Sequence, residues 1–172
     1  MIPDPQNVFE QLQNDVAAKL MQTAPFSMIA MPDGSPFNVL TEDEGDIQAD
    51  FDLQIAQLGL AITVRSPTGK VDNLTDLPGP LLKEVGFDIW ISEAPVFNRA
   101  VGGTQVRLAV ALVNVLGAVH GFQPDSIKSP VYATGFDPQR ERVLNGEQDS
   151  RGTLIVSRIC HFIAPVVGLA IT

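Results

Sequence analysis

The side chains that could do chemistry are few. Six carboxylates, Glu42, Asp43, Glu44, Asp46, Asp50 and Asp52, fall within one short stretch. Hard divalent cations take several oxygens from one loop, so this stretch is the natural place for a metal. The spacing of an EF-hand loop, with its central glycine and a glutamate at the twelfth position, is absent. Carboxylates at a helix start are also favoured by the helix dipole alone. The two histidines, His120 and His161, are too few for a three-histidine zinc site, and neither stands in an H-E-x-x-H arrangement. Cys160 precedes His161 directly. On a strand, successive side chains point to opposite faces, so the two cannot act on each other as nucleophile and base. Cys160 is expected in the core. No serine sits in G-x-S-x-G, and neither phosphate-binding glycine pattern occurs. Gly102-Gly103-Thr104 before an apolar run could hold an anion at a helix N-terminus, but capping and flexibility explain it equally well. Trp90 on a strand reads as a core or interface aromatic. No catalytic residue, cofactor or tightly bound metal is expected, and the chain reads as a structural subunit rather than an enzyme.

Composition narrows the class further. A chain of 172 residues with 45% apolar and 18% charged side chains is the size of one domain with its own core. A net charge of -9 repels phosphate backbones, so nucleic acid is not the expected partner. A single cysteine permits no intrachain disulfide or cysteine-based metal site and suits a reducing compartment. Met1 to Gln13 lacks the basic start and apolar run of a signal peptide. The longest near-continuous apolar run, Leu108 to Val119, is well short of the ~20 residues that cross a bilayer. No membrane partner is expected.

The elements that must position these residues follow from periodicity. Val8, Leu12, Val16 and Leu20 step by four, giving a helix over 5–22 that Pro25 closes. Met28 to Met31 is expected as a short strand before the turn Pro32-Asp33-Gly34-Ser35. The acidic segment 42–52 leads into a second helix over 46–58, with Gly59 as its cap. Leu60, Ile62 and Val64 alternate as a strand, and Ser66-Pro67-Thr68-Gly69 reads as a turn before a loop over 72–80. Phe87, Ile89 and Ile91 alternate as a strand over 85–94, where Pro95 restricts it to its end or an edge. A helix apolar on nearly all sides is expected over 104–120, buried on more than one side, with a narrow polar strip through Arg107 and Asn114. Strands are expected at 131–136, 142–144 and 154–163, with a turn at Asn145-Gly146. The expectation is one α+β domain over 1–172: a mostly antiparallel or mixed sheet packed by a long apolar helix and the N-terminal helices. Phe87, Ile89, Ile91, Leu60, Ile62 and Val64 should share the sheet face under Val110 and Leu116.

In this element order, with Ile91-Ser92-Glu93-Ala94-Pro95 followed by Asn98-Arg99, the apolar helix and the strand from Leu154 to Ile163, the chain resembles bacteriophage tail-terminator, tail-completion or neck proteins. The resemblance spans most of residues 5–163 and is architectural. It implies a virion subunit assembled in the bacterial cytoplasm, forming a ring, usually of six copies, that meets tail-tube or head–tail connector proteins without catalysis. The carboxylate-rich segment and the apolar C-terminal tail, 164–172, have no counterpart in it. That tail carries no charged side chain and would be an exposed apolar patch unless it docks. The expected interface residues are Glu93, Phe97, Asn98 and Arg99, then Arg107 and Asn114, and Val166, Val167, Leu169 and Ile171 of the tail. Arg140 and Arg142, with Arg151, read most simply as solvated loop charges, but they could pair with a neighbour's acidic segment. Two alternatives stay open: a small metal- or ligand-binding enzyme built on the acidic segment, and a cellular protein-binding adaptor.

Overall fold

The computed structural model describes residues 5–42, 46–72, 81–137, 140–144 and 153–170, with the side chains of 8–42, 46–65, 84–137 and 153–166. The chain is α+β, a mixed sheet with helices on both faces.

Helix α1, Pro5–Met21, buries the predicted stripe of Val8, Leu12, Val16 and Leu20. A 3-10 turn, Phe26–Met28, and a lone bridge between Ala30 and Pro36 stand where a strand was expected. Strand β1, Leu40–Thr41, is too short to leave a periodic signal. Helix α2, Ile47–Leu58, begins at Asp46, whose carboxylate accepts the Ala49 N–H, and ends at Gly59 in the left-handed region with φ 70°. Strands β2, Leu60–Asp72, and β3, Leu81–Glu93, pair antiparallel. The turn expected at 66–69 is strand, with a register shift between Arg65 and Thr68. Pro67 has no N–H to give a ladder, and a bulge is where a sheet accommodates it. Of the loop expected over 72–80, Asp72 is the last residue of β2, and 73–80, like the turn at Asn145-Gly146, lie outside the described residues.

Helix α3, Pro95–Asn98, turns the chain at once after β3. Helix α4, Leu108–Val119, is 12 residues and starts later than expected, because Gln105 has φ 61° and cannot continue a right-handed helix. Strands β4, Tyr132–Phe136, β5, Arg140–Leu144, and β6, Thr153–Ala170, complete the sheet. The strand order is β1-β2-β3-β6-β4, with β5 also pairing with β6; among the described strands only β1 with β2 is parallel. Residues 164–170 are therefore not a free tail. They continue β6, with Leu169 opposite Leu82 and Ala170 opposite Leu81. Ala164 and Val166 are buried.

Register assigns the two faces. Leu60, Ile62 and Val64 on β2, Val85, Phe87, Ile89 and Ile91 on β3, and Cys160, Phe162 and Ala164 on β6 form the main core with α1 and α4. The Phe87 and Phe162 rings stack 5.4 Å apart. The strand face is as predicted, but the helix meets it through Leu108, Ala111, Val115 and Val119. Leu116 is only partly buried, and Val110 is 49% exposed. On the opposite face, Ile55 of α2 packs with Ala61, Ala94 and Ile155 in a much smaller cluster.

Candidate functional site

The segment from Glu93 to Leu108 is held by a closed set of hydrogen bonds. Asn98, fully buried, donates through Nδ2 to Glu93 Oε1 at 2.8 Å and to the Val106 carbonyl at 2.9 Å. Its Oδ1 accepts from Thr104 Oγ1 at 2.6 Å. The second oxygen of Glu93 accepts the Leu108 N–H at 2.7 Å and so caps α4. Both amide hydrogens of Asn98 and both oxygens of Glu93 are spent within the chain. The backbone at Asn98 is gripped from two sides, since a Cβ at Gly59 or at Gly103 would overlap main-chain atoms of residues 97–98. Gly102-Gly103-Thr104 thus docks on the neighbouring backbone ahead of α4: Thr104 N–H donates to the Leu58 carbonyl and Gly103 N–H to that of Ala100.

This closure corrects the interface reading of two residues. Glu93 and Asn98 are turned inward and offer no surface, because a strand end, a short helix and a helix start all converge on them. Phe97 is half-buried against the α2 cluster, while Arg99 and Arg107 are exposed. Asn114 is half-buried and donates to the Val110 carbonyl. Val166 is buried. The side chains of Arg140, Arg142, Val167 and Leu169, and all of Arg151 and Ile171, lie outside the described residues. Glu42 is exposed at the end of β1, and Asp46, Asp50 and Asp52 are exposed on α2.

A second polar group was not legible in the sequence. Arg65, Asp88 and His161 are cross-strand neighbours on β2, β3 and β6, on the face away from α4. The Arg65 guanidinium lies 4.4 Å from the centre of the Trp90 ring. His161 Nδ1 is 2.7 Å from Asp88 Oδ1, and its Nε2 is 3.4 Å from Asp137 Oδ1. The hydrogen bond to Asp88, helped by Asp137 and opposed by partial desolvation, raises the His161 pKa above its ordinary value. An imidazole with a carboxylate at each nitrogen favours its charged form and has no nitrogen open for general-base work. Only the cross-strand register brings these residues together, and no local spacing signals it. On the other face, burial pushes the Cys160 thiol up to about 12, with the charge of Asp88 adding to the effect, so thiolate chemistry at neutral pH is disfavoured. Among the described residues no group of three His, Cys, Asp or Glu side chains is arranged for a metal ion.

The remaining candidate is apolar. Along α4, Val110 and Val113 point to solvent, Val113 with 68% of its surface exposed. Phe136 pairs with Cys160, so it lies on the α4 side of the sheet, and it too is exposed. A cleft of about 350 Å³ opens beside the start of α4 between Met28, Ile29, Leu58, Gly103 and Val106. Helix α4 contains no ionisable side chain. Such a surface is disfavoured in water and suits a protein contact. No described helix is long and apolar enough to cross a membrane.

No family model matches the sequence, and no curated protein matches it.

Proposed function

We propose that this chain is a ring-forming structural subunit of a bacteriophage tail or neck, of the tail-terminator type, working through contacts with its own copies and with tail-tube or connector proteins rather than through catalysis. The observation that carries this reading is the outward face of α4. A helix in an acidic chain exposes Val110 and Val113 and bears no charge along its length, an arrangement that a contact between subunits explains and a solitary domain does not. The polar groups agree with it. Glu93 and Asn98 are consumed in holding α3 and α4, and His161 is paired at both nitrogens, so neither group is open to a substrate.

The test is the mass of the purified protein by light scattering coupled to gel filtration, alone and with polymerised tail-tube protein from the same virion. A particle near six times the 18.5 kDa chain, or tubes capped at one end, is the expected outcome. A chain that stays monomeric in both settings overturns the reading.

A further inference from the structure

Resting on that ring reading, we infer that the ring contact is head-to-tail, with the outward face of α4 in one copy seated on the outward face of α2 in the next. The two helices cover opposite faces of the sheet: α4 packs over Phe87, Ile89 and Cys160, and α2 packs over Ala61 and Ile155. A contact between two different surfaces of one chain propagates from copy to copy and closes into a ring when its rotation permits.

The stripes match in order. On α4, Arg107, Val110, Val113 and Gly117 follow at helical spacing, and all four are exposed. A side chain added at Gly117 would meet nothing within contact range, so the stripe ends on open helix surface where a facing side chain can approach the backbone. On α2, Asp46, Asp50, Leu53 and Gln57 form the corresponding line, all exposed, Leu53 by 49%. Each line starts with charge and then presents apolar side chains, Val110 and Val113 on α4 and Leu53 on α2, and the charges are opposite. At 1.5 Å per residue, Arg107 stands about 9 Å before Val113, while Asp46 and Asp50 stand about 10.5 and 4.5 Å before Leu53. With the helices running in the same direction, Arg107 falls between the two carboxylates as Leu53 meets Val113 and Gln57 meets Gly117. Arg107 makes no ion pair with a described residue. In a chain of net charge -9, opposite copies repel across most surfaces, and this pairing avoids that penalty. An α4–α4 pair would also bury Val113, but it would leave Arg107 and the acidic flank of α2 without opposite charge and would stop at a dimer.

The experiment uses two full-length variants, Val113→Asp and Leu53→Asp, first matched to the wild type in thermal midpoint, then measured by sedimentation velocity. Each alone is expected to weaken self-association by about tenfold or more. Mixed in equal amounts, they should give a species of two chains and nothing larger, because one intact α4 face and one intact α2 face remain. Arg107→Glu should weaken assembly, and adding Asp50→Arg in the same chain should restore it. Assembly of Leu53→Asp at wild-type strength while Val113→Asp fails, or a mixture that stays monomeric, overturns the pairing. A wild-type ring that survives both substitutions overturns the placement of the contact alone. A wild-type chain that never assembles overturns the ring reading itself.

Discussion

The two faces of the central sheet are built on different terms. The face under α1 and α4 is a continuous apolar core, from Leu60 and Phe87 to Phe162, and its polar intruder Glu93 has both oxygens bonded. The face under α2 has a cluster of four buried apolar residues and then a half-solvated row of Arg65, Asp88 and His161. Burial is energetically consequential because apolar contacts add and unmet polar groups are costly there; half-solvated charges can exchange a lost partner for water. Stability therefore resides in the first face, while the second can carry charge without endangering the fold.

Substitutions can break that contrast. Phe87→Ala removes a ring stacked on Phe162 inside the core and should destabilise by ~3–5 kcal/mol in chemical denaturation; a change near zero would mean that the α4 face is not the main core. Gly59→Ala should cost ~3 kcal/mol or more in the same measurement, since φ 70° alone is unfavourable for alanine and its Cβ would overlap the backbone of Phe97 and Asn98. Glu93→Ala strips the cap from Leu108 and a partner from Asn98, and ~2–4 kcal/mol is expected from the same measurement.

The smallest effect belongs to the second face. Because His161 has a raised pKa when folded, its pairing stabilises the protein fully below the unperturbed value of 6.5, and this contribution is lost as pH rises through the folded value. With these side chains more than a third exposed, solvent screening holds it to under ~1 kcal/mol. Asp88→Asn should flatten stability across that pH window and lower the His161 pKa measured by NMR titration. An unchanged pKa would show that the cross-strand pair does not form.

The same contrast explains what was legible in the sequence. Helices α1 and α2 and the cores of β2 and β3 were readable because Val8 to Leu20 and Phe87 to Ile91 display the period of their element against one apolar layer. The α4 boundary was not, since Gln105 adopts φ 61° and the cap comes from Glu93, 15 residues earlier. Helix α3 was missed because four residues carry no periodicity, although Pro95 at its first turn is a fitting start. The continuation of β2 past Pro67 and of β6 past Ile163 depends on pairing with β3, which overrides local turn chemistry. Of the expected interface residues, Arg99 and Arg107 kept exposed places, while Glu93 and Asn98 became internal because their hydrogen bonds form only once the chain turns back through α3, and a side-chain pairing of that kind leaves no periodic signal. The row through His161 is invisible for the same reason.

Strand β6 is last in chain order among the described elements, yet it lies inside the sheet, with β3 along one side and β4 and β5 in succession along the other. During synthesis the helices and the β2–β3 pair emerge long before the strand that completes their core, and Phe87 waits without Phe162 until then. Pairings across such sequence distances close large loops and fold slowly. Until β6 arrives, β3 presents an unpaired edge, which is a template for joining another nascent chain. A protein of this topology is therefore most open to aggregation until β6 has emerged, and its yield should respond to translation rate and chaperone supply as well as to the equilibrium stability of the finished fold.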